Sequence, residues 1–149
     1  MDPVRAAMIR YEGMARASEL DRNGVDRDRR DIGVMYGSLI RVRKGWFADP
    51  DLPEVVRVAW RVGGRVACLS ALALLGEADA AHDGFLHIEL PRNASRLRNP
   101  PAGVEVVRHW TRRPLCPGRF VVPLDVARQQ ASRCAHRLST ARGARVPAE

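Results

Sequence analysis

The stretch "SLIRVRKGWFA" (residues 38–48) leaves the backbone few options. Ile40 and Val42 alternate with Arg41 and Arg43, a Lys44-Gly45 corner follows, and Trp46-Phe47 come directly after it. Apolar–polar alternation is the period of a strand with one buried face, and a glycine corner between two such runs marks an antiparallel hairpin. Its apolar side has to be covered, so Trp46 and Phe47 are expected to anchor a core. The other side carries Arg41, Arg43 and the chain's only lysine, Lys44, with no acid beside them before Asp49. Such a ribbon is either an edge hairpin with a solvated basic face or a wing resting on a phosphate backbone.

The preceding residues favour the wing. Asp2 and Pro3 open a helix whose Val4, Ala7, Met8 and Tyr11 form one stripe, and Gly13 ends it. A second short helix is expected over "RASELDRNG" (16–24), closed by Gly24. Asp26 caps a third segment, "RDRRDIGVMY" (27–36), before Gly37. Gly33 lies inside that segment and is expected to cost about 1 kcal/mol against alanine. Three short helices followed by a hairpin is the element order of a winged helix-turn-helix, which assigns residues 1–48 to such a domain.

From residue 49 the pattern changes. Pro53 starts a helix with Val55, Val56, Ala59 and Trp60 near one face, and Gly63-Gly64 stops it. "ACLSALALLG" (67–76) reads as a buried helix. "FLHIEL" (85–90) and "VEVVRHW" (104–110) read as strands, the first half-buried through Leu86, Ile88 and Leu90. A long basic loop broken by prolines lies between them. Pro123 begins a last helix through "LDVARQQASRCAHRL" (124–138), and the remaining "STARGARVPAE" shows no period, as expected of a disordered tail. The expected fold class is therefore α+β: the winged helix, a small α+β region with a short sheet over 49–127, and a C-terminal helix and tail over 128–149.

Charge decides the partner class. A net charge of +8 favours an anionic partner such as double-stranded DNA. The excess is uneven: residues 92–119 hold seven basic groups and one acidic. In the third helix Arg27, Arg29 and Arg30 point to phosphates or base edges. Asp26, Asp28 and Asp31 oppose this, so a solvated face of ion pairs is an equal reading for that helix alone. Arg92, Arg96 and Arg98, with Arg108, Arg112 and Arg113, either extend the DNA footprint or dock on an acidic host or toxin protein. No membrane contact is expected, since the longest apolar run, "VACLSALALLG", is too short to span a bilayer. Charges in "MDPVRAAMIRYEG" break any secretory signal, and three cysteines suit a reducing compartment, so a cytoplasmic location is expected.

Enzymatic signatures are missing. A nuclease of the PD-(D/E)xK type needs a lysine two residues past a carboxylate, and no such triplet occurs around Lys44; Glu89 is followed by Leu90-Pro91. The closest Cys–His pair is Cys134-x-His136, with no CxxC or HxxxH spacing, so no metal site and no cofactor are expected. His87 and His109 fall on strands and are expected to be structural. Ser70 beside Cys68 lies in an apolar helix and is not expected to be a nucleophile.

The run "LIRVRKGWFADPDLPEVVRVAWRVGGRVACLSALALLG", followed by "LHIELPRNASRL", resembles the N-terminal part of actinobacterial AbiEi-like proteins. These are antitoxins or regulators of the type IV abortive-infection toxin–antitoxin kind, and some carry a C-terminal domain similar to very-short-patch-repair endonucleases, which is not expected here. The resemblance spans roughly residues 10–127. It implies a winged helix up to about residue 48 that binds operator DNA, with an α+β region after it. The implied function is a non-enzymatic DNA-binding regulator or antitoxin in a phage or mobile-element setting. The alternative is an inhibitor or immunity factor that uses its basic loop.

Overall fold

Asp2 caps the first helix, α1 (Pro3–Arg10), its carboxylate accepting from the Arg5 N–H at 3.3 Å. The computed structural model describes residues 1–77, 83–112 and 118–134. Over them the chain is mixed α+β, with six helices and two three-stranded sheets. It divides into two units, Met1–Arg61 and Val62–Glu149.

In the first unit, β1 (Met14–Arg16), α2 (Ala17–Arg22), α3 (Arg27–Tyr36), β2 (Ile40–Arg43) and β3 (Trp46–Ala48) follow α1. Asp26 caps α3 by accepting from the Arg29 N–H at 3.0 Å, and Gly37 closes it in the left-handed region at φ 80°. Gly33 is buried in α3, where a Cβ would come within 3.0 Å of Leu39. The helix propensity it gives up is exchanged for close approach of the chain that returns to the sheet. The helix expected over residues 16–24 is shorter, because Met14–Arg16 pairs with β3 instead, Arg16 opposite Trp46 and Met14 opposite Ala48. The sheet order is β1-β3-β2, antiparallel throughout. Met8, Leu20, Val25, Leu39 and Phe47 fill the space between this sheet and the helices. Each full burial of such a side chain contributes about 1.5–3 kcal/mol.

Helix α4 (Glu54–Val62) closes this unit, its last residue, Val62, being the first of the second unit. Its Trp60 packs edge-on against Trp46, with ring centroids 4.9 Å apart. The compact unit therefore runs to Arg61 rather than stopping at residue 48, because the aromatic that closes the ribbon's apolar side comes from the next helix.

The second unit contains β4 (Arg65–Val66), α5 (Cys68–Leu74), β5 (Leu86–Pro91), β6 (Val106–Thr111) and α6 (Leu124–Arg133). β4 runs antiparallel to β5, and β5 parallel to β6. Strand β5 departs from the half-buried expectation: Leu86 through Leu90 are all buried, His87 and Glu89 included. Its polar face is covered rather than solvated, so both residues need internal partners. Helix α6 is described to Arg133; the rest of the expected helix and the expected tail lie outside the described residues.

Candidate functional site

The cations expected to meet DNA separate into distinct groups once the chain folds. In the first unit Arg27, Arg29, Arg41 and Lys44 are exposed, and Arg43 is half-buried. Asp31 gathers two of them from different elements: Arg27 Nε lies 3.9 Å from its Oδ2, and Arg41 Nη2 lies 3.9 Å from its Oδ1. One carboxylate thus holds the start of α3 and the ribbon on a common surface. Both pairs are long and solvated, each worth at most about 1 kcal/mol, so a phosphate can displace them. Arg43 lies over the Trp46 and Trp60 rings, at 5.6 and 5.1 Å from their centroids. Exposed Arg16, which the sequence reading did not select, lies 5.1 Å from the Trp46 centroid. The β1–β3 register supplies it, and a residue read as part of a helix offers no hint of that.

Arg30 does not belong to this surface. It is 8% exposed, and its guanidinium pairs with Asp21 and donates to the Val25 carbonyl at 3.0 Å and the Ala17 carbonyl at 3.4 Å. The expectation that it approaches DNA is corrected: it joins α2 to α3 from inside. The reason is position, because Arg30 and Gly33 share the buried stripe of α3 while Arg27 and Arg29 point away. That outer face also carries Ile32, Met35 and Tyr36, which are 54%, 75% and 80% exposed.

Arg92, Arg96 and Arg98 lie in the second unit, all exposed. The loop that carries them is pinned by its backbone, with Arg92 N–H donating to Thr111 O at 2.9 Å and Arg98 N–H to Val62 O at 3.0 Å. Arg92 also lines a cleft of 430 Å³ with Trp110, Thr111 and Arg112, and Trp110 is 54% exposed.

The covered face of β5 leads to a second site. Side chains of paired residues share a face, so the register of Arg65 with Glu89, Glu89 with His109, and His87 with Val107 puts Arg65, His87, Glu89 and His109 on one side. Cys68 at the start of α5 and Cys134 at the end of α6 close over it. One ligating atom from each of Cys68, His87, His109 and Cys134 lies within 4.8 Å of the other three. His87 Nδ1 is 3.1 Å from His109 Nε2, and Cys134 Sγ is 3.9 Å from both. The two cysteines and His87 are buried; His109 is half-buried. Burial, then the neighbouring Cys134, pushes the Cys68 thiol up to about 12. Burial, then His87, lowers His109 to about 4.

Polar groups around the cluster are tied down. Asp83 Oδ2 lies 2.7 Å from His87 Nε2, and its Oδ1 accepts from the Phe85 N–H at 3.0 Å. Arg65 donates to Glu89 Oε1 from Nη2 at 2.7 Å and to Gly118 O from Nη1 at 2.6 Å. Gln130 donates to Glu89 Oε2 at 2.5 Å and accepts the Cys68 N–H at 3.0 Å. Cys68 itself adopts φ 49°, a left-handed conformation unusual outside glycine.

Chain spacing does not point to this cluster: His87 and His109 are 22 residues apart, and His109 and Cys134 are 25 apart. His136 and Cys116 lie outside the described residues. No family model matches the chain, and no curated protein matches it.

Proposed function

We propose that the protein is a non-enzymatic, DNA-binding regulator of the antitoxin-like kind, whose first unit acts as a winged helix on double-stranded DNA. The order α1-β1-α2-α3-β2-β3, with β3 central in the sheet, supports this reading. In it, α2 and α3 form the helix-turn-helix, and the β2–β3 ribbon is the wing. The observation that carries it is Asp31 holding Arg27 of α3 and Arg41 of the ribbon on one surface. Helix α3 then enters the major groove with Arg27 and Arg29 toward phosphates or guanine edges, and Ile32 and Met35 toward thymine methyls. Arg41, Arg43 and Lys44 grip the backbone.

A salt titration of duplex binding tests the reading. If the five cations Arg27, Arg29, Arg41, Arg43 and Lys44 each neutralise a phosphate, log K falls with log salt at a slope of about −4.5. Absence of duplex binding at low salt discards the proposal. A second reading rests on Trp110, exposed beside Arg92 and Arg112. A flat aromatic flanked by arginines is the composition of a protein-binding hot spot, here for an acidic toxin or host protein. Recovery of one stoichiometric partner in a complex that survives nuclease digestion would favour it over DNA.

A further inference from the structure

We infer that Cys68, His87, His109 and Cys134 form a structural zinc site that ties α5, β5, β6 and α6 of the second unit together. The donor set is the first reason. Two thiols and two imidazoles are the ligands a borderline-soft, tetrahedral ion selects, and hard oxygen-seeking cations would not. Geometry is the second. Zn–N bonds near 2.0–2.1 Å and Zn–S bonds near 2.3 Å in a tetrahedron set the donor atoms roughly 3.3–3.8 Å apart. The separations of 3.1 and 3.9 Å, with all four atoms inside 4.8 Å, straddle that range.

The third reason is how His87 is held. An ionised carboxylate only accepts hydrogen bonds, so with Asp83 ionised its Oδ2, at 2.7 Å, takes a hydrogen bond from the proton on Nε2 of His87. That leaves the Nδ1 lone pair directed at His109 and Cys134. A carboxylate behind a histidine behind a metal is the usual outer support of such ligands. The backbone of Cys68 is fixed in turn by Gln130, which donates to Glu89, itself paired with Arg65. Four protein donors fill the tetrahedron and leave no open position, so the role is structural rather than catalytic. Binding converts two thiols to thiolates, releases their two protons to solvent, and cancels the ion's double charge.

Elemental analysis of the purified full chain tests this, together with titration of the reduced, chelator-treated chain by Zn²⁺ and Co²⁺. The expected result is one metal per chain and, with Co²⁺, the visible bands of a tetrahedral thiolate site. His109→Ala and Cys134→Ala should abolish stoichiometric binding, and Asp83→Ala should weaken it ten- to a hundredfold. If these variants fail to fold, the wild-type Co²⁺ spectrum still decides. Reduced wild-type protein that takes up no metal overturns the inference, as does a Co²⁺ spectrum without thiolate bands. Undiminished zinc in folded His109→Ala and Cys134→Ala variants does so equally, because the ion then sits elsewhere.

Discussion

Arg30 and Arg41 show how little a side chain's identity says about its task. Both are arginines within reach of the Phe47 ring, at 5.8 and 5.3 Å from its centroid. Arg30 is buried and satisfied by Asp21 and two carbonyls, whereas Arg41 is exposed, lying over the Phe47 ring and in a long solvated pair with Asp31. Arg30→Ala leaves buried acceptors unpaired and should lower stability by about 1–3 kcal/mol in urea denaturation. The folded fraction of that variant should keep its duplex affinity. Arg41→Gln combined with Lys44→Gln should do the reverse. Its unfolding midpoint stays within about 0.5 kcal/mol of the parent, affinity for all duplexes falls alike, and the salt slope becomes shallower by about 2. Loss of preference for one sequence alone would contradict a backbone role for these two residues.

At the scale of elements, the strands show the clearest division between pattern and packing. The alternation in β2 and the apolar positions of β5 are plain in the sequence, and both strands form where expected. What alternation cannot say is whether the polar face meets water. In β5 it meets Arg65, Gln130 and the cysteines, so Glu89 lies in a buried ion pair with Arg65 at side-chain exposures of 5% and 4%. Glu89→Ala strands that guanidinium and should cost about 3–5 kcal/mol, read as a fall in the denaturant midpoint. Gly64, next to β4, is needed for a similar reason. A Cβ there would stand 2.6 Å from the Glu89 carbonyl oxygen, a backbone atom with nowhere to go. Gly64→Ala should therefore destabilise by about 1–3 kcal/mol through overpacking, despite alanine's smaller backbone entropy cost; an unchanged midpoint would mean β4 can shift away from β5.

For the whole molecule, the two units bring different physics to a chain of this size. The first is closed by an apolar cluster around Met8, Leu20, Leu39 and Phe47. The second gathers an ion pair, an amide bridge, two thiols and two imidazoles behind its small sheet. Buried polar groups of this sort hold a fold firmly only when every one is satisfied, and a bound metal would tie four of them to a single point. Chelation should therefore lower the chain's thermal midpoint. At free zinc a thousand times its dissociation constant, the stability lost is about 4 kcal/mol. Calorimetry with and without chelator checks this, and coincident melting curves would contradict it. No helix among the described residues is long and apolar enough to cross a membrane.

Local information was enough for the first unit's helices and ribbon, because caps, glycine stops and strand alternation act within a few residues. Asp2, Asp26, Gly37 and the Lys44-Gly45 corner all do locally what their residue types predict. The mixed α+β class follows from the same signals. Only the tertiary structure turned Arg30 inward, added β1 and β4 to the sheets, and drew α4 onto Trp46. It alone assembled Cys68, His87, His109 and Cys134, because their proximity depends on β-register and on how α5 and α6 close over the sheet. Such long-range pairings leave no period in the sequence.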